Sequence, residues 1–210
     1  LPIIPHTVAA GLYFVADRLF LSHMMGNTSV ALYAAGMQLA MVMSVVQNAL
    51  SRAWNPYVLG YLGQCDNTYV TFYQAYRTLV RHMFYACLMI IVMSVGLTVV
   101  IYFSVEYLLP VHYESSKYLG MMLVSAFCLL GFYKVVSPIL WHHKRSASLS
   151  KVTIWVFLMN IGLNMWLIPA YGVNGACFAT IISMGCQFIF TLILVWRVSS
   201  DHLKEVRHLV

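Results

Sequence analysis

Asp17 and Arg18 stand side by side in the stretch "LYFVADRLFLSH", within a run that otherwise carries almost no charge. An ionised side chain at the centre of a bilayer costs at least ~2.5 kcal/mol on insertion scales, so the pair is a candidate for function rather than decoration. Adjacent positions on a helix point about 100° apart, and the two groups therefore cannot pair well with each other. Each needs its own partner. Counted from Pro5, Arg18 lies roughly 20 Å along a span of about 30 Å. Helical side chains lean toward the N-terminus, which turns its guanidinium toward the midplane. A salt bridge to neighbouring helices would satisfy it, and so would an anionic substrate in a watery cavity. Asp17 would then tune Arg18 through a shared partner or brace the bundle.

Other polar residues recur at helical spacing. Gly36, Ala40, Ser44, Asn48 and Arg52 follow one another every four residues and form a single small, polar ridge ending in a cation. Such a ridge suits a close helix seam or the wall of a water-accessible cavity, since Asn48 and Gln47 facing lipid would be costly. Asn160 and Asn164 share a face four residues apart, and Gly175, Ala179 and Ser183 have the small-xxx-small spacing of close helix contacts. Lys134 lies about two turns inside the end of a fourth apolar segment. It either snorkels to the interface or lines a cavity. Among the histidines only His23 lies near the depth where an intramembrane base would work, which counts against an acyltransferase or glycan polymerase. Cys65, Cys87, Cys128, Cys177 and Cys186 form no CxxC pair or His/Cys ligand cluster and read as small hydrophobes. No metal or cofactor is expected.

The elements that must position these residues follow from composition. Of 210 residues, 61% are hydrophobic and only 9% charged, far from the roughly 25% charge of a soluble domain. Six segments, at about 5–25, 29–50, 80–104, 118–141, 151–168 and 173–196, are long enough to span a bilayer as helices. They lack the two-residue alternation of a barrel. The expected fold is all-α: a six-transmembrane-helix bundle over 1–197, with a cytoplasmic tail over 198–210. The net charge of +6 sits in short connections rather than on one aromatic-flanked face, which argues against nucleic acid. Arg52, Arg77, Arg81, Lys144, Arg145, Lys151 and Arg197 fall on one side, whereas "GNTS", "VEYLLPVHYESSK" and "PAYGVN" fall on the other. The positive-inside rule puts both chain ends in the cytoplasm. The aromatic stretches "WNPYVLGYL" and "YVTFYQAYR" read as an interfacial elbow, with Pro56 ending the second helix. Leu1 in place of Met, with no signal-peptide pattern, reads as a fragment of a longer chain.

Together these residues resemble a known family. "ADR" with the following "G" and "ALYA", then "AWNPY", is similar to the start of the second half of polysaccharide flippases, and "NIGLNMWLIPAYGVNGACFATIIS" to their penultimate hairpin. These are the O-antigen and lipid-linked oligosaccharide transporters of the multidrug/oligosaccharidyl-lipid/polysaccharide (MOP) exporter superfamily. The resemblance implies one lobe of a two-lobed transporter that alternates between inward-open and outward-open states. Its cargo would be an undecaprenyl-pyrophosphate-linked glycan, moved across the bacterial inner membrane for O-antigen, capsule or exopolysaccharide synthesis. Its partners would be the lipid bilayer, the N-terminal half of the same transporter, and a polysaccharide polymerase with its chain-length regulator. On that reading Arg18, with Arg52 and Lys134, attracts the pyrophosphate, while Asn48, Asn160 and Asn164 bond sugar hydroxyls. A drug/cation antiporter of the same superfamily would instead use Asp17 as a proton or sodium site.

Overall fold

The computed structural model describes residues 3–64, 69–108 and 115–208, with side chains described over 11–13, 15–64, 73–103 and 115–201. Cys65, residues 109–114 of the acidic connection and the side chains from 202 onward lie outside the described residues. The described chain is all-helical: α1 (Ile3–Met25), α2 (Asn27–Gly63), α3 (Tyr69–Leu108), α4 (Ser115–Val136), the short α5 (Pro138–His142), α6 (Ser146–Tyr171) and α7 (Val173–His208). Five stretches, within α2, α3, α4–α5, α6 and α7, are long and apolar enough to cross a membrane among the described residues. The protein is therefore a multi-pass membrane protein by length and composition.

Contacts between helices close a ring. α1 packs on α6, α6 on α7, α7 on α4, α4 on α2, and α2 returns to α1, while α3 lies outside against α4 and α2. The peripheral place of α3 explains its surface, where Phe84, Tyr85, Val92, Val95, Val100 and Phe103 are all exposed. In a bilayer those side chains meet lipid at no cost. The central α4 is the opposite case, with Leu123, Val124, Ala126 and Phe127 buried.

The α2–α4 seam depends on absent side chains. A Cβ at Gly36 would stand 2.9 Å from both the Gly120 nitrogen and the Leu119 Cβ, so the two backbones meet where glycine faces glycine. One turn on, Ala40 is fully buried, and below it Gln47 donates to the Phe127 carbonyl at 2.6 Å. Trp54 Nε1 donates to the Val135 carbonyl at 2.9 Å and fastens the far end. At the other hairpin, Gly172 takes φ 62°, in the left-handed region that favours glycine. Gly175 packs so tightly that an added Cβ would collide with the Leu167 carbonyl, which locks α7 against the end of α6.

Four element boundaries differ markedly from the sequence reading. Pro56 does not end α2, which continues to Gly63. Its missing N–H forfeits one bond, but Val58 and Leu62 beyond it are fully buried in a cluster with Leu79, Ile139 and Leu140, and that packing holds the extension. The segment expected as one helix over 118–141 breaks at Ser137–Pro138 into α4 and α5. α3 starts at Tyr69 rather than near residue 80, and α7 runs on through residue 198 to His208.

Candidate functional site

Asp17 is completely buried inside the ring. Its carboxyl receives three hydrogen bonds, from Tyr33 Oη on α2 at 2.7 Å, Asn164 Nδ2 on α6 at 2.6 Å and Thr180 Oγ1 on α7 at 2.8 Å. The network extends outward. Asn164 Nδ2 also donates to Asn160 Oδ1 at 3.1 Å, Asn160 Nδ2 donates to Tyr13 Oη at 3.2 Å, and Tyr13 Oη donates to the Thr180 carbonyl at 3.4 Å. One carboxyl on α1 thus joins α2, α6 and α7. All three donors to it are neutral, and no cation is among its partners. Buried charge is tolerated when such bonds replace water.

Thr180 adds a constraint from counting protons. Its hydroxyl lies 2.8 Å from Asp17 Oδ2 and 2.9 Å from the Ala176 carbonyl, which only accepts. One hydroxyl hydrogen serves one of the two. With Asp17 ionised it goes to the carboxylate. With Asp17 protonated, the carboxyl donates to Thr180 Oγ1 and the hydroxyl hydrogen turns to Ala176. Both protonation states fit with only a hydroxyl rotation.

One acceptor in the network is left over. Asn164 Oδ1 is buried without a hydrogen-bond partner, on the side chain whose Nδ2 faces Asp17 Oδ1 and Asn160 Oδ1. One carboxylate among neutral oxygens suits a proton or a hard monovalent cation. Among the described residues there is no group of three or more His, Cys, Asp or Glu of the kind that holds a transition metal.

Arg18 has a different environment. It is half-buried, its Nε has no hydrogen-bond partner, and no ion pair joins it to a carboxylate among the described residues. The angular separation expected on a helix is realised: Asp17 turns into the ring and Arg18 away from its partners.

The remaining candidates lie elsewhere. Asn48 and Lys134 come together, with Lys134 Nζ donating to Asn48 Oδ1 at 2.9 Å. They line an open pocket of about 210 Å³ with Ser51, Asn55, Ser137 and Trp141, and Asn55 Oδ1 is buried there without a partner. Arg52 is exposed on the same helix but does not line this pocket. Tyr33 and Asn48 are 15 positions apart on α2, roughly 22 Å at 1.5 Å per residue, so the candidates form two groups rather than one. Asn160 and Asn164 belong to the Asp17 network. The polar ridge of α2 divides in the same way, with Gly36 and Ala40 buried in the seam and Asn48 and Arg52 exposed. The sequence reading did not name Tyr13, Tyr33 or Thr180 as site residues. Tyr13 stands one turn before Asp17 and so carried a signal, whereas nothing in the local pattern ties Tyr33 or Thr180 to α1.

No protein-family model matches the chain, and no curated protein matches it. A solved structure of a MOP superfamily transporter from Pyrococcus furiosus does, with a TM-score of 0.62 and 18% identity over 90% of this chain. Over that span the chain shares the fold of that structure. It covers 42% of the archaeal transporter's chain. Within this fold the Asp17 network ties four of the ring's five helices together.

Proposed function

We propose that this chain is one lobe of a secondary transporter that flips an undecaprenyl-pyrophosphate-linked oligosaccharide across the bacterial inner membrane, facing a second, N-terminal lobe. The observation that carries this reading is the division between Asp17 and Arg18. Neutral donors satisfy Asp17, so the carboxylate is not spent on the neighbouring cation, and Arg18, whose Nε has no hydrogen-bond partner, has no ion pair among the described residues. A cation so placed favours an anionic cargo and repels a cationic one. Lys134 and Arg52, at the basic end, supply a second electrostatic station, with Asn48 offering hydrogen bonds to hydroxyls. The prenyl tail stays in lipid while the lobes rock about the head group. The role is transport rather than catalysis, with both ends of this segment on the cytoplasmic side.

The test is Arg18→Ala in the complete transporter, read as surface glycan display at matched protein level. Loss of display with normal membrane abundance is expected. Display at the parental level would make Arg18 a structural residue.

A second reading has its own support. In a cation or drug antiporter Asp17 would be the proton or sodium site, and the two-way hydroxyl of Thr180 fits a carboxyl that changes protonation state. The readings diverge on deletion: retention of cationic dyes marks the antiporter, and accumulation of a lipid-linked glycan marks the flippase.

A further inference from the structure

A groove of about 570 Å³ runs between the start of α6 and the far part of α7, away from both groups described above. Its lining is Lys151, Val152 and Trp155 from α6, with Phe190, Ile193, Leu194 and Arg197 from α7. Trp155 and Phe190 meet edge to face with centroids 5.7 Å apart and form the floor. From that level Lys151 lies about 6 Å and Arg197 about 10 Å toward the basic end, at 1.5 Å per residue. The groove is thus apolar over its length and cationic at one mouth. Both cations are exposed, no acidic residue lines the groove, and neither cation has an ion-pair partner among the described residues.

Position along the helices says where this mouth sits. Lys151 is the last charge before the charge-free run 152–171 of α6, and Arg197 is the first after the charge-free run 173–196 of α7. Both therefore mark the boundary between hydrocarbon and headgroups, with the groove extending from it into the hydrocarbon.

The geometry points to a binding site for one anionic phospholipid, its phosphate between Lys151 and Arg197 and an acyl chain along Trp155, Phe190 and Ile193. The charge of the mouth selects the headgroup, since a polybasic boundary attracts anionic lipid and a zwitterionic headgroup gains little. The apolar floor separates this site from a simple phosphate site, which would need no groove. The bound lipid would brace α6 against α7, the two helices that carry Asn164 and Thr180 to Asp17. The inference does not depend on the cargo.

The experiment measures retained lipid by native mass spectrometry of the full chain in detergent, loaded with dioleoyl phosphatidylglycerol or dioleoyl phosphatidylcholine. One retained phosphatidylglycerol is expected, preferred roughly 30-fold over phosphatidylcholine, or about fivefold per cation at a membrane surface. Lys151→Gln with Arg197→Gln should remove the preference, while Lys144→Gln with Arg145→Gln at the same end should leave it. Excess inorganic phosphate should not displace the lipid. In the unaltered chain, brominated phosphatidylglycerol should quench tryptophan emission more than brominated phosphatidylcholine, and Trp155→Phe should remove that excess, which tests the site without the charge variants. Equal retention of the two lipids, a preference that survives the double change or is lost equally with Lys144 and Arg145, displacement by inorganic phosphate, or excess quenching unaffected by Trp155→Phe would each overturn the site.

Discussion

The Asp17 network and the Asn48–Lys134 pocket are built from the same kinds of residue and behave as opposites. In the first, a carboxyl, two tyrosines, two asparagines and a threonine close on one another with Asp17 fully buried, and four helices meet there. In the second, an amide and an ammonium share one bond at the wall of an open pocket, and Asn55 Oδ1 is left over. The difference comes from α2. Gly36 lets its first half approach α4 to backbone distance, while its second half reaches α4 through the longer side chains of Gln47 and Trp54. Close approach excludes water and forces polar groups to satisfy one another, and looser approach leaves them available to a ligand.

Each change that attacks this contrast has a ranked expectation. Asp17→Ala should have the largest effect, because it removes the acceptor of the Tyr33 hydroxyl and of one Asn164 N–H inside the ring, while the Thr180 hydroxyl turns to the Ala176 carbonyl. At ~1–3 kcal/mol for each of these two orphaned donors, the loss should be about 2–6 kcal/mol, read as thermal or denaturant unfolding in detergent. Unfolding like the parent's would mean that the network does not hold the ring. Gly36→Val comes next, since its branched side chain would have to push aside the α4 backbone at Gly120, for roughly 1–3 kcal/mol by the same measurement. It should also open the first half of the seam, so that a cysteine introduced at the buried Ala40 becomes reactive to a water-soluble maleimide. Lys134→Ala should cost least in stability, under about 1 kcal/mol, because its one hydrogen bond is made at the edge of an open pocket. Its effect should fall on glycan display instead. A large unfolding shift for Lys134→Ala would make the two regions alike and remove the contrast.

The all-helical membrane architecture was legible because hydropathy over about 20 residues needs no tertiary information. The ring order was not, since the adjacency of α2 to α4 rests on Gly36 meeting Gly120 across more than eighty positions, and α6 is tied to α1 by Asn164 reaching Asp17. The end assigned at Pro56 failed for a related reason. Local chemistry says stop, and the burial of Val58 and Leu62 against distant residues overrides it. At the candidate site, helical angle alone separated Asp17 from Arg18, and the i, i+4 pair Asn160 and Asn164 was visible as one face. What that face served was hidden. Its partner is a carboxyl almost 150 positions earlier, and the remaining donors, Tyr33 and Thr180, are ordinary residues in ordinary helices until α2 and α7 bring them to it.

The central claim is that Asp17 does not neutralise Arg18. A double-mutant cycle with Asp17→Asn, Arg18→Gln and both together, read as unfolding free energy of the chain in detergent, tests it most directly. Separate partners predict a coupling below about 0.5 kcal/mol, the range of independent sites. A coupling above roughly 1 kcal/mol, with the second change partly rescuing the first, would show that the two charges compensate each other and would leave no free cation for an anionic cargo.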